Sequence, residues 1–94
     1  MNEVLIKAIS HYGSEHQIDK AIEEMSELIK ALLKYRYCVR QYEKEIVKES
    51  VDEEMGDVEI MLEQLRMIFN NAREVEMVKA EKIERLERQI RRES

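Results

Sequence analysis

Apolar residues recur at steps of three and four along most of this chain, the spacing that places them on one face of an α-helix. The pattern predicts four helices. The first covers about Asn2 to Tyr12, with Val4, Leu5, Ala8 and Ile9 on one face. Gly13 follows where a left-handed helix cap is wanted. Ser14-Glu15-His16-Gln17 has the S-x-x-Q form of a capping box and starts the second helix. Ile18, Ile22, Met25, Ile29 and Leu32 form the stripe of that helix, widened by Ala21 and Leu28, and it reaches roughly Val39. The pattern blurs between Arg36 and Glu49, which places a loop within 38–48. The third helix runs from about Ser50 to Phe69 on a stripe of Val51, Met55, Val58, Leu62, Leu65 and Phe69. Asn70-Asn71 is its stop, because Asn tolerates left-handed backbone. The fourth runs from about Arg73 to Arg92 with a thinner seam of Val75, Val78, Ile83, Leu86 and Ile90.

Length and composition sharpen this picture. Ninety-four residues make one domain. No Pro, no Trp and only two Gly argue against a sandwich or barrel, which needs turn residues every few positions. The expectation is an all-α, four-helix bundle-like chain. Its small size and the Leu and Ile on several helix faces suit assembly as a homo-oligomer, a dimer or a tetramer. The net charge of −5 disfavours a general nucleic-acid surface. The single cysteine, Cys38, excludes an intrachain disulfide and a Cys-rich zinc site. The longest apolar runs are three residues, such as Val4-Leu5-Ile6, so no membrane span is expected. MNEVLIKAIS lacks the layout of a signal peptide, and the expected location is cytoplasmic.

The charge is uneven. Residues 15–63 carry a net −7, whereas residues 79–94 carry +2. Within the acidic part, Glu24 and Glu27 are three apart on the second helix, and Glu54 and Asp57 repeat that step on the third. Residues three apart project from one side of a helix. Helices packed side by side would bring the four carboxylates together, and divalent cations would offset their repulsion. Oxygen ligands without thiols select Mg²⁺ or Mn²⁺. The spacing also permits plain rim acids paired with Lys20, Lys30 or Lys34. Glu81, Glu84 and Glu87 share the spacing but alternate with Lys82, Arg85 and Arg88, the pattern of a solvated face. Gly56, inside a helix beside Asp57, suggests close approach of a helix or a ligand. Tyr12, Tyr35, Tyr37 and Tyr42 are candidates for stacking a base, or for half-buried edges of the core. His16 reads as a surface residue of a first turn, and Cys38 as a structural thiol. No Gly-rich phosphate loop is present.

Glu23-Glu24-x-x-Glu27, then 26 residues, then Glu54-x-x-Asp57 resembles the E-E-x-x-E…E-x-x-D signature of the MazG-like all-α nucleoside triphosphate pyrophosphohydrolases. Gln17-x-x-Lys20-x-x-Glu23-Glu24-x-x-Glu27-Leu28 and Glu53-Glu54-x-Gly56-Asp57-Val58 resemble the two core helices of that family, and the likeness covers about 14–69 of a single domain spanning 1–94. The resemblance implies hydrolysis of a (deoxy)nucleoside triphosphate to monophosphate and pyrophosphate by metal-activated water. It implies Glu24, Glu27, Glu54 and Asp57 as Mg²⁺ ligands and catalytic carboxylates, with Glu23 and Glu53 secondary, and it favours self-association. Relatives carry a late K-x-x-K-N-x-x-R segment. Lys79, Lys82 and Arg85, in the helical segment 73–93, keep the bases without the Asn, and are candidates for phosphate contact or a solvated face. The competing readings are a helical interaction module without enzymatic activity and a regulator that binds nucleotide without cleaving it.

Overall fold

A computed structural model describes residues 2–94. It contains four helices and, among the described residues, no strand: α1 (Glu3–Tyr12), α2 (Ser14–Tyr37), α3 (Gln41–Ile68) and α4 (Ala72–Glu93). Among the described residues, no helix is long and apolar enough to cross a membrane. Asn2 caps α1, its Oδ1 accepting from the backbone N–H of Val4 at 2.9 Å and of Leu5 at 3.3 Å. Gly13 is the single hinge residue between α1 and α2, with φ +90°, a region that L side chains rarely adopt.

The expected capping box is absent. Ser14 is the first residue of α2, Gly13 is its N-cap, and no side chain caps that end. The side chain of Gln17 is drawn instead into the helix seam, which makes a stronger claim on it than an exposed N–H. The expected loop is also shorter. Only 38–40 separate α2 from α3, which begins nine residues before the expected Ser50. Nothing in Gln41–Glu49 breaks a helix, and Val47 continues the buried side of α3. The sequence blurs there because few other residues of that segment are apolar. The end of α3 follows expectation. Asn70 adopts φ +50°, its N–H donates to the Met67 carbonyl, and the Asn71 N–H donates to that of Arg66, both at 3.2 Å. This pair of bonds is the Schellman closure of a helix.

The core is an antiparallel α2–α3 hairpin with α1 packed across one end. Its buried residues are Leu5, Gln17, Ala21, Ala31, Val58, Met61 and Gln64. The buried seam of α2 therefore follows Gln17, Ala21, Glu24, Leu28 and Ala31, which takes in the expected flanking residues Ala21 and Leu28 but turns Ile22, Ile29 and Leu32 of the expected stripe outward. Ile22 is 62% exposed and Ile29 is 58% exposed. On α3 the same rotation buries Met61 and Gln64 and leaves Met55, Leu62 and Phe69 exposed. Both helices carry two neighbouring apolar stripes, and the small Ala21 and Ala31 let α3 approach along the seam that contains them. On α1, Leu5 is buried and Val4 is exposed. Gly56 faces open space, and a Cβ built there meets nothing within 4 Å among the described residues, so no other helix approaches it. α4 touches only α3 and buries none of its residues.

Candidate metal centre

The hairpin register places residue 17 opposite 64 and residue 24 opposite 57, so the two acidic words face each other. Glu24 and Glu54 occupy seam positions, at alternating steps of three and four with Ala21 and Leu28 on α2 and with Val58 and Met61 on α3. Glu27 and Asp57 lie on the adjoining flank. One carboxylate oxygen each from Glu24, Glu54 and Asp57 lies within 4.8 Å of the other two, and all three side chains are half-buried. Glu27 stands beside this trio. With Glu54 it lines a crevice of about 600 Å³ whose other walls are Lys30, Ala31, Leu33, Lys34 and Ser50. Glu23 and Glu53 are exposed at the edge.

Ion pairs divide the acids into two kinds. Lys20 reaches Glu24 at 3.1 Å and Glu23 at 3.7 Å, and Lys30 reaches Glu27 at 3.4 Å. The hydrogen bond to Glu24, with the field of Glu23, holds the Lys20 ammonium above its ordinary range. Glu54 and Asp57 have no such cation among the described residues. Oε2 of Glu54 is buried without any hydrogen-bond partner. Burial is the largest cause pushing the Glu54 carboxyl above its usual range, followed by the charges of Asp57, Glu24, Glu27 and Glu53. A buried acceptor left without a donor is costly unless a ligand completes it.

The donor set fits a hard divalent cation. The oxygen shell of Mg²⁺ is about 4 Å across, with bonds of about 2.0–2.1 Å, so small side-chain rotations would close the trio on one ion. Glu24, Glu54 and Asp57 would hold it, and Glu27 lines the adjoining crevice.

The basic residues are placed differently. Lys79 pairs with Glu76 at 3.4 Å and lines a crevice with Glu59, Leu62, Glu63 and Arg66, on the flank of α3 away from Asp57. Lys82 and Arg85 are exposed further along α4. None of the three shares a crevice with the carboxylates. Lys30 and Lys34 do, and the sequence signal for them was their spacing of three and seven from Glu27 on the same helix flank.

The aromatic candidates lie apart from this crevice. Tyr12 stacks on His16 with centroids 5.1 Å apart, Tyr35 lies under the Lys44 ammonium at 5.8 Å, and the Tyr42 hydroxyl accepts from Arg40 at 3.0 Å. Tyr37 is exposed. His16 is an exposed first-turn residue and Cys38 is a half-buried free thiol at the C-terminus of α2. No family model, curated protein or solved structure matches this chain.

Proposed function

We propose that this chain is a Mg²⁺-dependent, MazG-like nucleoside triphosphate pyrophosphohydrolase, with Mn²⁺ as a substitute ion. The observation that carries the reading is the convergence of Glu24, Glu54 and Asp57, with Oε2 of Glu54 buried without a partner, next to a crevice that also contains two lysines. Its other support is the likeness of the Glu23–Glu27 and Glu54–Asp57 words to the family signature.

A divalent cation bound by these carboxylates would offset polyphosphate charge and make a water acidic enough to attack near neutral pH. The protein's own groups do the rest. Lys30 and Lys34 line the crevice and bring positive charge to phosphate oxygens in a field otherwise set by acids. Glu27 or Glu24 orients the attacking water and accepts its proton. The water oxygen adds to the α-phosphorus, the bond from that phosphorus to the bridging oxygen breaks, and pyrophosphate leaves with the electron pair.

A passive helical module is favoured by the lysine pairing of Glu24 and Glu27 alone. Pyrophosphate release from a panel of ribo- and deoxyribonucleoside triphosphates with Mg²⁺ separates the readings. Turnover abolished in Glu54→Gln and in Asp57→Asn supports the hydrolase. Absence of turnover from every substrate, with no stabilisation by Mg²⁺ or Mn²⁺, removes it. Nucleotide binding without turnover identifies a regulator.

A further inference from the structure

The crevice beside the carboxylates has a direction. The register that sets residue 17 opposite 64 and residue 24 opposite 57 also sets Glu27 opposite Glu54 and Ala31 opposite Ser50. All four of these residues line the crevice. Two small side chains facing each other leave the hairpin unfilled at that level. The gap therefore runs from the acids toward the connection at 38–40, and Lys34 stands at its far end.

The two lysines of this crevice differ. Lys30 is held by Glu27 at 3.4 Å on its own helix. Lys34 is exposed and forms no ion pair among the described residues. The helical rise puts Lys30 about 4.5 Å and Lys34 about 10.5 Å beyond Glu27 along α2. Charge thus changes along the crevice, from carboxylates through a paired lysine to a free one. An extended polyanion fits this gradient, with its near end on a divalent ion and its far end on the free ammonium. No aromatic side chain among the described residues lines the crevice, so nothing there stacks a base.

We propose that the polyphosphate lies along this crevice with its α-phosphate at Glu27 and Glu54, its β-phosphate at Lys30 and its γ-phosphate at Lys34, and that Lys34 is the residue by which the chain distinguishes a nucleoside triphosphate from a diphosphate. The assignment rests on the hydrolase reading above. A diphosphate placed with the same α-phosphate ends at Lys30 and leaves Lys34 without a partner. A triphosphate adds a charge-assisted contact there.

The test is carried out on the full chain with Mg²⁺. Titration calorimetry measures the affinities of the α,β-methylene triphosphates and diphosphates of the four deoxynucleosides, beside turnover of the natural triphosphates. Lys34→Met should weaken the triphosphate analogues about tenfold or more, the worth of one hydrogen bond to a charged group, and leave the diphosphate analogues unchanged. Turnover should fall through KM. Lys34→Arg should restore the preference, because it restores the charge. Lys7→Met removes an exposed charge outside the crevice and should change neither affinity. An unchanged melting temperature confirms that Lys34→Met folds. Equal losses for both analogues, or none for either, overturn the assignment; triphosphate turnover that persists beside that result leaves the hydrolase reading in place. A wild type that discriminates the analogues through Lys34 but turns over no triphosphate overturns the hydrolase reading and keeps the assignment. A wild type that binds no analogue and turns over no triphosphate overturns both.

Discussion

Nε2 of Gln17 donates to Oε1 of Gln64 at 2.7 Å across the buried seam, and that bond sets the register that brings Glu24 opposite Asp57. Both amides are almost wholly inaccessible. Gln64 Nε2 also contacts the Met61 sulfur at 3.5 Å, and Gln17 Oε1 lies 2.8 Å from His16 Nδ1. Two helical turns separate Gln17 from Glu24, and two separate Gln64 from Asp57, so a slip at the amide pair shifts the carboxylates by the same rise.

Truncating one amide leaves the other buried without its partner, at a cost of about 1–3 kcal/mol. Gln17→Leu and Gln64→Leu should each show that loss in urea unfolding. Replacing both should recover much of it, because an apolar pair needs no partner. The double variant should also weaken Mg²⁺ binding, since nothing polar then fixes the register. Equal and additive losses would show that the two amides act independently.

Glu54→Gln should separate stability from metal binding. The half-buried Glu54 carboxylate feels the charges of four acids, Asp57, Glu24, Glu27 and Glu53, and pairs with no cation among the described residues, so a neutral amide there raises the melting temperature in the absence of divalent ions. The same change removes a ligand. Mg²⁺ should raise the melting temperature of the wild type by mass action and leave the variant almost unchanged. Loss of affinity should exceed tenfold, because even outer partners of metal ligands are worth about 10–100-fold. Thermal scans with and without Mg²⁺ check both signs.

Gly56→Ala should stabilise the monomeric unit by about 0.5–1 kcal/mol, the helix-interior difference between the two residues. An added Cβ there meets nothing within 4 Å. Denaturant melts of the two proteins measure it. A destabilised variant would mean that position 56 is covered by something outside the chain.

The helices were legible because each apolar stripe keeps a strict period and because Gly13 and Asn70 mark their ends. The convergence of Glu24, Glu54 and Asp57 was legible because spacing of three on two helices fixes a common side. Which stripe is buried was not. Ile22 and Ala21 are one position apart, and either row satisfies the period. The choice depends on how closely two backbones can approach, which Ala21 and Ala31 decide only once the helices are paired. The start of α3 was hidden because Gln41–Glu49 holds helix through continuity with a long neighbour, not through its own apolar content. Gln17 was read as a cap because the S-x-x-Q word says nothing about a glutamine 47 residues away.

The attachment of α4 should weaken in acid. Glu76 accepts from Arg66 Nη1 at 2.9 Å, the only ion pair joining α3 to α4 among the described residues. That hydrogen bond is the largest cause holding the Glu76 carboxyl below its ordinary value, and Lys79 adds to it. A carboxyl with a depressed folded value stabilises fully above its unfolded value of 4.5, and the contribution disappears as pH falls through the depressed one. The melting-temperature difference between wild type and Glu76→Gln should therefore be constant near neutrality and shrink below pH 4.5. Added salt should shrink it as well, because the pair is exposed. Amide exchange should locate the change at 72–80, where α4 leaves the hairpin, and leave the exchange at Gln17 and Gln64 untouched. A difference that grows on acidification would mean that Glu76 is destabilising when charged, and that α4 is held by its apolar residues alone.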